Sequence, residues 1–247
     1  MTDMLMPILQ VNTEDIPPYA IVCGDPKRAE KIAGKLEDMR ELAFSREYRT
    51  FVGTYKGVRL AVTSHGVGSP GAAVCFEELI RAGVKTLIRV GTAGSYHADV
   101  PAGSLVISTA AIRTDGLTRQ LVPDGFPAVA DSRVTEALLQ SAMAAGEGVV
   151  RKGMTVTLDV FFNGVEEVPH QKYKAAGALG VEMEIAALYV VAALRGVRAG
   201  AIVAMDGFAD SDLAAEYDPN TDTVARAVER EIAAALNAVA ALADEEN

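Results

Sequence analysis

Short apolar runs rich in β-branched residues recur along the chain: YAIVC (19–23), GVRLAVTS (57–64), TLIRV (86–90), SLVISTAAI (104–112), MTVTL (154–158) and AGAIVAM (199–205). Their length and composition predict buried strands. Between several of them lie segments with readable helix ends. Ser69 followed by Pro70 reads as an N-cap with proline at the first helical position, and Gly83 closes that helix after FEELIRA. Asp131 can cap DSRVTEALLQSAMAA, which stops at Gly146. In the last segment Val224, Val228, Ile232, Leu236 and Val239 recur at helical spacing, an amphipathic helix running nearly to the C-terminus. This alternation predicts an α/β layer fold with a mixed, mostly parallel sheet. There is no internal repeat, low-complexity segment or linker, so residues 1–247 read as a single domain. In such sheets ligands bind beyond the carboxyl ends of strands, which directs the search for chemistry to those ends.

Composition narrows the partners. Half of the 247 residues are apolar, which is ample material for a core. A net charge of −10 disfavours a phosphate-backbone footprint, so no nucleic-acid partner is expected. Cys23 and Cys75 lie inside apolar stretches and read as free buried thiols of a reduced compartment. The opening MTDMLMPILQV carries Asp3 and lacks a basic leader, so it does not read as a signal peptide. No run is long enough to span a bilayer, and the expected location is cytoplasmic, away from membranes.

Several strand ends carry candidate chemistry. The loop GVGSPG (66–71) matches G-x-G-x-x-G between a strand and a helix, the dinucleotide-binding context. A cofactor ribose would want a carboxylate about 20 residues further on; the next strand instead carries Arg89 and ends at Gly91. An unpaired guanidinium is costly to bury there. Arg89 followed by Gly91, Thr92, Ala93 and Gly94 offers charge, backbone N–H groups and a hydroxyl, a set suited to an oxyanion. GDPKR adds Gly24 and Arg28, and SREYR adds Arg46 and Arg49 in a polar stretch before a strand. For Arg49 a structural ion pair is the favoured reading. LGVEMEIAALYVVAAL (179–194) reads as a buried helix with Glu182 and Glu184 at its start. Those carboxylates either complement the helix dipole or accept two neighbouring sugar hydroxyls. Finally, AIVAMDGFADSD (201–212) ends a strand in Asp206, Asp210 and Asp212, each a candidate acid or a solvated turn residue.

Taken together, GDPKR (24–28), SREYR (45–49), SHGVGSPGAAVCFEEL (64–79), IRVGTAGS (88–95), GVEMEIA (180–186) and AMDG (204–207) resemble the nucleoside phosphorylase family of purine and uridine enzymes. The pattern is most similar to the apicomplexan purine enzymes. The resemblance implies a ring-shaped homo-oligomer, commonly a hexamer built as a trimer of dimers. It also implies attack of inorganic phosphate on a ribonucleoside, releasing base and ribose 1-phosphate with no metal or organic cofactor. By position, Gly24, Arg28, Arg89 and Thr92 would hold phosphate, and Arg46 would reach it from a neighbouring subunit. Glu184 would bind the ribose hydroxyls, with Met183 under the sugar and Glu182 beside it. Phe161 would stack near the base, and Asp206 would be the purine-facing general acid. Asp210 and Asp212 then read as loop residues.

The chain also departs from the family. Val165 and Glu167 stand where uridine enzymes place a glutamine and an arginine that read uracil. EYDPN (216–220) lacks the arginine that in bacterial purine enzymes assists the acid. Ile8 replaces a histidine that contacts the ribose 5′-hydroxyl, which predicts tolerance of 5′-deoxy or 5′-methylthio groups. His65 reads as a structural histidine, and His97 and His170 as solvated. The rival readings are a phosphate-independent nucleosidase, a uridine phosphorylase, a non-catalytic nucleoside-binding protein and a dinucleotide-dependent oxidoreductase.

Overall fold

The computed structural model describes residues 4–209 and 220–246. Strand β1 (Tyr19–Cys23) is followed by helix α1 (Pro26–Ala33), strands β2 (Glu37–Ser45), β3 (Tyr48–Tyr55) and β4 (Val58–Ser64), and helix α2 (Ser69–Ala82). The middle of the chain runs β5 (Thr86–Ser95), β6 (Leu105–Arg113), α3 (Gly116–Leu121), β7 (Ala128–Val129), α4 (Ser132–Ala144) and β8 (Val150–Thr157). Then come α5 (His170–Ala175), β9 (Gly180–Glu182), α6 (Ile185–Arg195), β10 (Arg198–Phe208) and α7 (Asp222–Asp244).

These strands form one mixed sheet in the order β10-β6-β8-β9-β5-β1-β4-β3-β2, with β7 alongside β6. Because β10 also pairs with β5, strands β5, β10, β6, β8 and β9 close into a ring, and β1, β4, β3 and β2 extend from it as a wing. Strand side chains alternate between two helical layers, as a period of two requires. Val22, Leu87 and Val203 pack toward α2 and α6, whereas Ile21, Ile88 and Ile202 pack toward α1, α4 and α7. Burial on both faces is why these strands read as continuous apolar runs. The five apolar residues anticipated on α7 all enter the second layer.

Strand β5 is shared by ring and wing. One edge runs parallel to β10 from Thr86 to Ser95. The other is parallel to β1 as far as Arg89 and antiparallel to β9 at Gly94 and Ser95. Among the described residues, 90–93 pair with neither on that edge, which opens a crevice beyond the carboxyl end of β1.

Several boundaries differ from the sequence reading. Helix α2 is capped by Gly68; Ser69 is already helical, and its hydroxyl donates to the Met183 carbonyl instead of capping. Gly83 closes α2 at φ 119°, and Asp131 caps α4 by accepting from the N–H groups of Arg133 and Val134. Helix α4 ends at Ala144, before Gly146. Strand β5 does not stop at Gly91 but continues through Gly91–Gly94. SREYR is the turn of the β2–β3 hairpin. Strand β2, EDMRELAFS, lacks apolar alternation because it is an edge strand with no fully buried position.

Gly180 lets β9 cross close to β5: a Cβ there would lie 2.6 Å from the Gly94 carbonyl oxygen. Gly180→Ala is expected to cost about 1–3 kcal/mol, read as a drop of roughly 2–4 °C in melting temperature per kcal/mol. An unchanged melting temperature would contradict this account of the crossing.

Candidate active site

A cavity of about 890 Å³ opens where β5 passes from β1 to β9. Each element brings residues from its end. Gly24 and Arg28 follow β1, Arg89 and Thr92 lie on β5, Phe161 follows β8, Glu182 ends β9 with Met183 and Glu184 after it, and Asp206 lies on β10. Arg46 is not on this wall; it occupies the exposed β2–β3 turn at φ 58°, and its neighbour Glu47 lines the cavity. Asp210, Asp212 and 216–219 of EYDPN lie outside the described residues.

Arg89 organises the inner end. It is buried in the middle of β5, and its guanidinium folds back along its own strand over Gly91, where a Cβ would meet Nη1 at 2.1 Å. Its Nη2 donates to Glu184 and lies 3.5 Å from Glu182. Its Nε and Nη1 have no hydrogen-bond partner among the described residues. Burial works against the charge, but the carboxylates of Glu184 and Glu182 outweigh it and hold the guanidinium ionised.

The two glutamates are held differently. Glu182 belongs to β9, not to the helix start anticipated for it. It accepts from the Thr157 hydroxyl and from the N–H groups of Glu184 (2.7 Å) and Ile185 (2.8 Å), so it caps the turn into α6. Burial pushes its carboxyl up; Arg89 pulls it down, Glu184 adds to the rise, and the donated hydrogen bonds oppose it. Glu184 stands at the N-cap position of α6 without capping it. Its carboxylate accepts from the Gly68 N–H at 2.6 Å and from Arg89. Burial raises this group too, yet Arg89, His65 and the Gly68 N–H together hold it below the usual carboxylate range. The GVGSPG loop therefore directs its Gly68 N–H at a protein carboxylate.

Asp206 is placed by a bulge. Strands β10 and β5 run in register to Met205 opposite Ala93 and resume at Gly207 opposite Gly94, leaving Asp206 as the extra residue. Bulges of this kind re-aim a side chain. Asp206 is buried at 7 % exposure while still lining the cavity. The outer wall is apolar, built from Leu158, Val160, Phe161, Phe162 and Phe208. Phe161 and Phe162 meet edge to face with centroids 5.0 Å apart.

Other residues fall differently from their sequence reading. His170 is not solvated: it is half-buried, lines the cavity and stands 2.9 Å from the Tyr96 hydroxyl through Nδ1. His97 is also half-buried, with Nε2 3.0 Å from the Ala178 carbonyl oxygen. His65 is fully buried; desolvation lowers it to about 4, so it is neutral near pH 7. Arg49 makes ion pairs with Glu30 and Glu41 and lies over the Phe51 ring, as its structural reading anticipated. Two further buried groups, Thr157 and Glu231, stand at or behind the site. Thr157 has no signal beyond its place at a strand end. Glu231 did have one, a charge at a helix position three residues after Val228 on the apolar stripe of α7.

Among the described residues, no group of three or more His, Cys, Asp or Glu side chains could hold a metal ion. No described helix is long and apolar enough to cross a membrane. Cys23 and Cys75 are free and buried.

The family model described as "Phosphorylase superfamily" matches residues 18–243. The chain is 37% identical over 243 residues to a purine nucleoside phosphorylase of Plasmodium falciparum, covering 98% of both chains. It is 39% identical over 205 residues to a uridine phosphorylase of Thermococcus kodakarensis, covering 77% of this chain and 73% of the relative. The crystal structure of purine nucleoside phosphorylase from Toxoplasma gondii in complex with immucillin-H superposes with a TM-score of 0.92 at 32% identity, covering 99% of each chain.

The pairing of Arg89 with two buried carboxylates makes a stability prediction with a definite sign. Arg89→Met leaves Glu182 and Glu184 facing each other without a cation, at a cost of about 3–5 kcal/mol near neutrality. Both folded-state carboxyl groups then titrate above their unfolded values, so the lost stability returns as the pH is lowered. Denaturant titrations should show a larger deficit at pH 8 than at pH 5; a deficit independent of pH would refute the electrostatic assignment.

Proposed function

The chain belongs to the phosphorylase superfamily and is a nucleoside phosphorylase, and from that premise we propose that its substrates are purine ribonucleosides, inosine or guanosine first. Phosphate is a competent nucleophile, so the site needs to orient it and to stabilise charge more than to activate it. Gly24, Arg28, Arg89 and Thr92 receive the anion at the inner end. The observation that carries this placement is the buried Arg89 guanidinium, with Nε and Nη1 donors not satisfied by the described protein. Glu184 takes the ribose 2′- and 3′-hydroxyls, Met183 lies under the sugar, and Glu182 fixes the turn that presents both. Phe161 flanks the base in the apolar outer wall. Arg46, on the exposed hairpin turn, contributes to the phosphate of a neighbouring subunit in a homo-oligomer, a hexamer assembled as a trimer of dimers. No cofactor enters the reaction.

In the reaction, a phosphate oxygen bonds to C1′ as the C1′–N9 bond breaks through an oxocarbenium-like sugar. The electron pair moves onto the purine. Asp206, in its acid form, gives its proton to N7, which stabilises the leaving base; such transfers contribute typically ~10²–10⁴-fold. Val165 and Glu167, in place of the uracil-reading pair, and the carboxyl group at position 206 support purine over uridine. Ile8, reaching the site of a neighbouring subunit, extends the range to 5′-deoxy and 5′-methylthio nucleosides, because an apolar side chain gives no preference for a hydroxyl.

The test is phosphate-dependent release of base from inosine, guanosine, adenosine, uridine and 5′-methylthioadenosine, with wild type and Asp206→Ala. Inosine or guanosine should rank first, and the variant should lose about 10²–10⁴-fold in kcat on purines. Uridine ranking first with little effect of the substitution would overturn the base assignment. Base release without phosphate would favour a nucleosidase.

A further inference from the structure

Helix α7 carries a carboxyl group behind the anion end of the cavity that the proposed reaction does not use. Glu231 is fully buried. Its nearest counter-charge is Nη1 of Arg28, 3.9 Å from Oε1, and among the described residues the Ala204 N–H lies near its carboxyl without forming a well-aligned hydrogen bond. The ionisable groups that face it are Arg28 from α1, Arg89 from β5, Asp206 from β10 and Cys23 from β1. Glu231 does not line the cavity, whereas Arg28 and Arg89 do. It therefore stands on the protein side of the arginines, opposite the place assigned to phosphate.

We propose that Glu231 is a positioning residue that tunes anion affinity through Arg28. Uncharged, it leaves the guanidinium to the anion in the cavity; ionised, it competes for it from behind. This rests on the assignment of the anion to Arg28 and Arg89.

The physics favours the uncharged state near neutrality. A buried carboxylate is expensive, and burial pushes Glu231 up to about 8 against the pull of Arg28, Arg89 and the Ala204 N–H. An anion bound across Arg28 adds negative charge nearby and makes ionisation harder still. Linkage then requires the reciprocal effect: the anion binds more tightly while Glu231 keeps its proton. Affinity is therefore highest below about pH 8 and falls as the pH rises from there toward the anion-bound value. A one-unit difference between the free and bound values corresponds to about tenfold in affinity.

Sulfate is the probe, because it stays dianionic across the range and adds no titration of its own. Its Kd is measured by calorimetry between pH 6.5 and 9.5 for wild type, Glu231→Gln and Glu231→Leu, the second uncharged variant guarding against a folding defect in the first. Wild type should weaken by about tenfold across the range. The variants should match its affinity at pH 6.5 and lack that weakening. In turnover, Glu231→Gln should lower the phosphate KM at pH 9 relative to wild type and leave the phosphate KM at pH 6.5 unchanged. Variants with the wild-type pH dependence would overturn the role of Glu231 and leave the anion site standing. Absence of saturable sulfate and phosphate binding in wild type would overturn both.

Discussion

Arg89 lies within a strand that has parallel neighbours on both sides, and a guanidinium in that position must bring its counter-charges with it. They arrive from β9, whose last residue is Glu182, and from Glu184, where α6 begins. The rest of the site follows from this requirement. Gly91 must lack a side chain for the guanidinium to lie back along β5. Strand β9 must reach β5 at Gly94, which leaves the stretch before it without a partner on that edge and creates the crevice. The short β9 and the close approach of Gly180 are two consequences of bringing two carboxylates to one buried cation.

The same arrangement divides labour between residues of identical chemistry. Glu182 accepts from Thr157 and from the backbone entering α6, and so fixes that turn as well as lying beside Arg89. Among the described residues Glu184 accepts hydrogen bonds from Arg89, which lines the cavity, and from the Gly68 N–H. Asp206 owes its orientation to backbone irregularity, and Glu231 is set apart from both by lying off the cavity wall.

Much of the fold was legible because strands buried on both faces and a long amphipathic helix leave strong periodic signals. Strand β2 left none, since an edge strand with an exposed face needs no alternation. Strand β9 was read as the start of α6 because its three residues merge with the helix in apolar content. The residues around the cavity were legible as a motif set, yet their relation was not. Nothing in LIRVG says that Arg89 folds back over Gly91, and nothing in AMDG announces a bulge. His170 and Thr157 acquire their partners only through tertiary contact with Tyr96 and Glu182. Glu231 alone leaves a trace, an acidic residue on the apolar stripe of α7.

The distances along the chain between these partners carry a kinetic meaning. Arg89 and Glu184 are 95 residues apart, and Gly68 and Glu184 are 116 apart. Contacts of such separation incur loop-closure entropy before they return any stabilisation, and they slow folding. Strands β2, β3 and β4 can pair locally as hairpins, but β5 holds an uncompensated cation until residues from the far half of the chain have docked. A nascent chain released before β9 and α6 would hold Arg89 without either carboxylate, so assembly of the site and completion of the sheet are one cooperative event.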